Sequence, residues 1–149
     1  MTEVITQERC EERFDLYRND FEGNLPWPVF ETKKTFNFIG QFFYVPIKKG
    51  KKNTIKNATI IFSEYFDFTD DRVFDSTLVH EMIHYYMKMY NIKDNDDHGD
   101  KFLSYAKYFN EKYNLNVKPL SYVGKNGDIE RAEGTSKLKW IWALAKSIF

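Results

Sequence analysis

Apolar positions recur along this chain in two rhythms, and each change of rhythm marks an element boundary. Ile5, Cys10, Phe14, Tyr17 and Phe21 fall at helical spacing with Glu, Arg and Asp between them, which predicts a helix over 5–21. Gly23 is a stop signal for it. Leu25-Pro26-Trp27-Pro28 then forces an extended turn, because each proline disfavours a helical residue before it. From 29 onward Thr, Phe, Val and Ile dominate and three strands are expected, over 29–38, 41–47 and 54–62. Gly40 reads as the turn between the first two. Residues 48–53, Lys-Lys-Gly-Lys-Lys-Asn, read as a hairpin tip. Connections this short imply an antiparallel meander.

The helical rhythm returns after a loop at 63–70. A helix is expected over 71–91, with Thr69, Asp70 and Asp71 as candidate N-caps. Val79, Met82, Ile83 and Tyr86 stand at i, i+3, i+4 and i+7 and give it one apolar face. Residues 91–98 form a polar loop. A third helix over 99–114 has Phe102, Leu103, Ala106, Phe109 and Tyr113 as its expected buried stripe. In the tail, 116–123 reads as a strand and 124–128 as a tight turn around Asn126-Gly127. Residues 138–149 fit a helix and a strand almost equally, and their aromatic and isoleucine content favours a strand. The expected class is α+β: an N-terminal helix, a small antiparallel sheet of three strands, two further helices and a short C-terminal β extension.

The length, 149 residues, suits one domain that buries a core without staples. Lys plus Arg and Asp plus Glu both total 22, so no net basic field draws the chain to nucleic acid or an anionic membrane. A single cysteine, Cys10, excludes an intramolecular disulfide and a multi-cysteine metal site. No run approaches the roughly 18 apolar residues of a membrane span. The N-terminus is too charged for a secretory signal. No membrane partner and a cytoplasmic location are therefore expected. Lys48, Lys49, Lys51 and Lys52 read first as a solvated turn that blunts edge pairing, and second as a nucleic-acid contact.

The three histidines lie within nineteen residues: His80 and His84 in His80-Glu81-Met82-Ile83-His84, and His98 before Gly99. Residues four apart on a helix share a face, so His80 and His84 project together. Glu81 is adjacent and can meet a metal-bound water without being a ligand. That is the mechanical content of an HExxH helix. Catalytic zinc takes three protein ligands, so a third is needed. Met87 and Tyr90 stand where the metzincin pattern requires Gly and His. Glu111 is the one glutamate on the third helix and lies far along it. His98, opening that helix, is the better candidate, and Gly99 permits a sharp turn there. Neutral imidazoles favour one Zn2+ ion over Mg or Ca, with Fe, Co and Ni left open. Asp94, Asp96, Asp97 and Asp100 crowd His98, either as an orienting carboxylate or as a solvated acidic loop.

Three segments together resemble a known family. His80-Glu81-Met82-Ile83-His84-Tyr85-Tyr86, His98-Gly99-Asp100-Lys101-Phe102 and Asn19-Asp20-Phe21-Glu22-Gly23-Asn24-Leu25-Pro26 are similar to the SprT-like zinc metallopeptidases, over residues 8–117. The resemblance implies a zincin-like peptidase domain at 1–117, acting on a protein or peptide substrate. It places His80, His84 and His98 on zinc and makes Glu81 catalytic. It also implies substrate binding by strand addition at Ile60, Ile61 and Phe62, in the strand before the active-site helix. Some relatives cleave proteins crosslinked to DNA, which extends the expectation to DNA association. Many carry a cysteine-rich zinc ribbon after the peptidase domain. No cysteine follows Cys10 here, so 118–149 is expected to be a metal-free equivalent packed on the domain. The alternative is a non-catalytic module that binds DNA or protein and uses zinc only to fix its fold.

Overall fold

The computed structural model describes residues 1–50 and 52–119. The expected strand at 116–123, the turn at 124–128 and the β extension around Trp140 and Trp142 fall wholly or largely outside these residues, as does Lys51. Residues 116–119 form no strand.

Thr6 starts the first helix, α1 (Gln7–Arg18), by accepting the Arg9 N–H on its hydroxyl. Its buried side, Cys10, Phe14 and Tyr17, follows the expected spacing. The chain then extends through Leu25 and the two prolines into β1 (Val29–Lys33). It continues through β2 (Gly40–Lys49) and β3 (Lys52–Ser63) to α2 (Asp71–Met89) and α3 (Asp100–Tyr113). Asp70 is the N-cap of α2, taking the Arg72 and Val73 N–H groups on one carboxylate oxygen.

The sheet departs from the meander. Its order is β1-β3-β2, with β1 parallel to β3 and β2 antiparallel to it. A short connection implies neighbouring strands. Residues 34–39 instead arch over the end of β3 and reach the far side of it. Skipping one strand needs about 10 Å, well within the reach of six residues. Ser63, fully buried, anchors the arch. Its N–H donates to Ile39 O, its hydroxyl donates to Thr35 O, and Oγ accepts from Tyr65 N–H. The first strand accordingly stops at Lys33 and not at 38.

Alternation along the strands puts Phe30, Ile60 and Phe62 on the helix-covered face, where all three are buried, while Val29 and Phe43 are exposed. Phe62 stacks on Phe74 of α2 at 4.7 Å. Val79, Met82 and Ile83 of α2 are fully buried, but the helix is buried well beyond that face, Phe74 and Leu78 included. It lies between the sheet, α1 and α3 as the central element. The expected stripe on α3 is corrected at Leu103, which is exposed. Phe102, Ala106 and Phe109 are buried.

Polar contacts fix the helices around α2. Asp75, on the buried side of α2, accepts from the guanidinium of Arg13 and the hydroxyl of Tyr17, both on α1. Burial, followed by the bond to Asp75, pushes the Tyr17 hydroxyl well above its usual range. Asp20 accepts from Tyr108, Lys112 and Tyr113, tying the end of α1 to α3. Among the described residues no helix is long and apolar enough to cross a membrane.

Ser63→Ala leaves the Thr35 carbonyl and the Tyr65 N–H without their partner beneath the arch. The expected loss is about 1–3 kcal/mol of unfolding free energy, measured by urea titration.

Candidate metal centre

His80 and His84 sit one turn apart on α2, and His98 arrives from the loop just before α3. Their Nε2 atoms converge: 3.2 Å between His80 and His84, 3.1 Å between His84 and His98, and 3.2 Å between His98 and His80. Phe102, on the first turn of α3, touches all three rings, with centroids 4.8–4.9 Å away. Its apolar ring is the floor on which the imidazoles are packed.

Three donors at a roughly tetrahedral angle, each about 2.0–2.1 Å from one ion, would lie roughly 3.2–3.4 Å apart. The triangle is close to that size. The His80 Nδ1 lies 2.8 Å from the Lys118 carbonyl. A carbonyl only accepts, so that nitrogen carries the proton and the His80 Nε2 presents a lone pair. Burial, then the neighbouring His84 and His98, pushes the His80 imidazole down to about 3. Burial likewise lowers His84 to about 4. Imidazoles whose Nε2 atoms converge are a donor set for a metal ion, and His80, His84 and His98 can hold one.

The turn that delivers His98 is capped from outside the helix. Gly99, the N-cap of α3, has no side chain for the task. Asp94 does it instead, accepting the Lys101 N–H on one oxygen and the Phe102 N–H on the other, while Asn95 Oδ1 accepts from the Asp100 N–H. These are the unpaired donors of a helix start, and the carboxylate also faces the positive end of the helix dipole. A Cβ at Gly99 would lie 2.1 Å from Asn95 Oδ1 and 2.5 Å from Asp94 Oδ1. A side chain there would have to displace the Asp94 and Asn95 oxygens that cap the helix, and the φ of −84° needs no special freedom. Of the four aspartates near His98, Asp94 is therefore a helix cap.

Glu81 is 6 % exposed, and its Oε1 lies 3.8 Å from the His80 Nε2. Burial pushes its carboxyl up to about 8, against the Phe42 N–H that donates to it. Phe42 belongs to β2, so the carboxylate is held between helix and strand. They come together at Gly40, where a Cβ would lie 2.8 Å from the Thr77 methyl and 3.5 Å from the Glu81 Cγ. An open cleft of about 390 Å3 lies over this junction, lined by the three histidines, Glu81 and β2 residues through Tyr44. At Tyr44 one β2 residue faces two on β3, Asn57 and Ala58, a bulge with Asn57 at φ 56°. The Tyr44 ring stacks on Phe42, which stacks on Tyr85 of α2.

A scan against family profiles finds the SprT-like family over residues 11–121. The chain belongs to the SprT-like family. Searches of curated proteins and of solved structures returned no match.

The remaining expected site residues separate from this centre. Ile60, Ile61 and Phe62 lie on β3, the middle strand, paired with β1 on one side and β2 on the other. That strand has no edge to offer a peptide, and the expected strand addition there is corrected. Lys48 and Lys49 are exposed at the far end of β2, with Lys52 opposite. Lys48 is four residues past Tyr44, on the order of 13 Å along the strand. Gly40, Phe42 and Tyr44 were absent from the sequence reading of the site. Their signal was Gly40 itself, read as a turn, when the missing side chain makes room for α2.

The wild-type protein is expected to bind one equivalent of divalent metal, and Phe102→Ala, which removes the floor under three rings, should bind it weakly. Elemental analysis after gel filtration checks both. Asp94→Ala, which uncaps the turn behind His98, should lower metal occupancy in the same measurement.

Proposed function

We propose that this domain is a zinc-dependent endopeptidase of zincin-like design, with His80, His84 and His98 as ligands of one Zn2+ ion and Glu81 as the catalytic base. One observation carries the reading. Three converging imidazole nitrogens and a buried carboxylate meet on the floor of an open cleft, beside a strand whose outer edge is unpaired among the described residues. Membership of the SprT-like family supports it. Three imidazole nitrogen donors with room for a fourth ligand suit zinc.

A zinc ion held by His80, His84 and His98 would supply Lewis acidity for a scissile carbonyl and would lower the pKa of a water molecule to about 7. Glu81 removes the proton from the attacking water and returns it to the leaving nitrogen. Its setting suits both tasks. Burial makes the protonated carboxyl accessible, and a cation alongside draws it back towards the ionised form. The Phe42 N–H holds the carboxylate aimed at the cleft.

The substrate lies along β2, not β3. In an antiparallel ladder alternate residues exchange bonds with the partner strand. Ile39 bonds to Ser63, so Gly40 and Phe42 turn their main-chain groups away from β3. The Phe42 N–H is used by Glu81. The Gly40 N–H and carbonyl and the Phe42 carbonyl remain for an extended peptide. Among the described residues nothing else pairs with this side of β2. DNA association, if it accompanies proteolysis, is proposed at Lys48, Lys49, Lys51 and Lys52. Neutralising these should weaken DNA binding and leave cleavage of a free peptide unchanged.

Glu81→Gln is expected to retain one equivalent of zinc and lose about 10²–10⁴-fold in the rate of cleaving an unstructured protein. Cleavage at the wild-type rate would remove Glu81 from the chemistry. A zinc-loaded wild type that cleaves nothing would leave the alternative, a zinc-stabilised binding module.

A further inference from the structure

The segment after α3 does more than leave the domain. Asn114 adopts a left-handed conformation, φ 56° and ψ 44°, that ends the helix and turns the chain back. From there the segment is pinned at four successive points. The Arg72 Nε–H donates to Asn114 O at 2.7 Å. The Asn116 N–H donates to the Ser76 hydroxyl at 2.9 Å, which itself donates to Arg72 O. Asn110 of α3 clamps Val117 from both sides, its Oδ1 accepting the Val117 N–H at 2.7 Å and its Nδ2–H donating to Val117 O at 3.0 Å. Leu115 and Val117 are buried. One residue beyond the clamp, Lys118 O meets the His80 Nδ1.

Asn110 spends its side chain as a strand would spend its backbone, satisfying both main-chain groups of one residue. A ring with no partner at Nδ1 carries its proton on either nitrogen, and the Nε2-protonated form has no lone pair to offer a metal. The carbonyl that removes this choice is main-chain, so its position depends on whatever holds the segment.

We propose that Asn110 is a positioning residue for the metal centre: by clamping Val117 it sets the Lys118 carbonyl on His80 and fixes that ring in the form that ligates through Nε2. The inference rests on the reading of the three histidines as a metal site, and it assigns the control of ligand readiness to α3 and the segment after it. Ser76, through Asn116, supports the same carbonyl from α2.

The test uses the full chain with two readouts that do not involve catalysis. In the metal-free protein, the ring ¹⁵N shifts of His80 are expected to report a proton on Nδ1 in the wild type and a mixture of tautomers in Asn110→Ala. Zinc affinity, measured by competition with a chelator, is expected to fall about 10–100-fold in that variant. Ser76→Ala should move both readouts in the same direction by less, and it carries the test if Asn110→Ala does not fold. A lowered melting temperature with unchanged His80 shifts and a zinc Kd within twofold of wild type overturns the proposal, since a merely structural clamp would give that result. A wild type with its His80 proton on Nε2 overturns it as well. A protein that binds zinc and cleaves nothing would defeat the peptidase reading and leave this inference standing.

Discussion

Three imidazole nitrogens held 3.1–3.2 Å apart form an arrangement that a protein has little reason to keep for its own stability. With the His80 proton committed to Lys118 O, at least one of the three can only accept, and burial disfavours charging His80 or His84. The triangle is cohesive when a cation shares the lone pairs. Until then it must be held by its surroundings, and several otherwise separate features do that. Phe102 packs under all three rings, the Asp94–Asn95 cap fixes the turn before α3, and the segment after α3 returns to hold His80.

The same requirement explains why α2 is the most enclosed element. Two of the converging histidines and the carboxylate all come from it, so any shift of α2 against its neighbours moves the candidate site. Arg13 and Tyr17 hold Asp75 on one side, the aromatic stack of Phe62 and Phe74 holds the sheet side, and the close contact at Gly40 sets its distance from β2. That last contact joins stability to chemistry. A side chain at Gly40 would meet the Thr77 methyl and have to displace it or part β2 from α2.

Much of the site was legible in the chain. The four-residue spacing of His80 and His84 needs only helical geometry, and the helix was marked by its own apolar face and by the cap candidates Thr69, Asp70 and Asp71 at its start. His98 could be chosen because the chain has no fourth histidine and because Gly99 stands at a helix start. The sheet was legible only as three strands. Pairing order depends on where a six-residue connection goes, and nothing in residues 34–39 distinguishes a turn to the next strand from an arch over it. The reading of Leu103 as core failed for a related reason. Periodicity places it beside the buried stripe, and only the packing of α3 against α2 decides where that stripe ends.

The sequence by itself determined that one helix carries two histidines a turn apart, that a third histidine opens the next helix, and that an acidic side chain stands beside the first, because these follow from local geometry and residue chemistry. Tertiary structure decided which strand borders the cleft, what caps the turn behind His98, and which main-chain carbonyl holds His80. Each of these joins residues far apart in sequence, such as Gly40 to Thr77 or His80 to Lys118. Such contacts are selected by how whole elements pack, and a backbone carbonyl or an absent Cβ leaves no distinctive residue in the sequence to announce it.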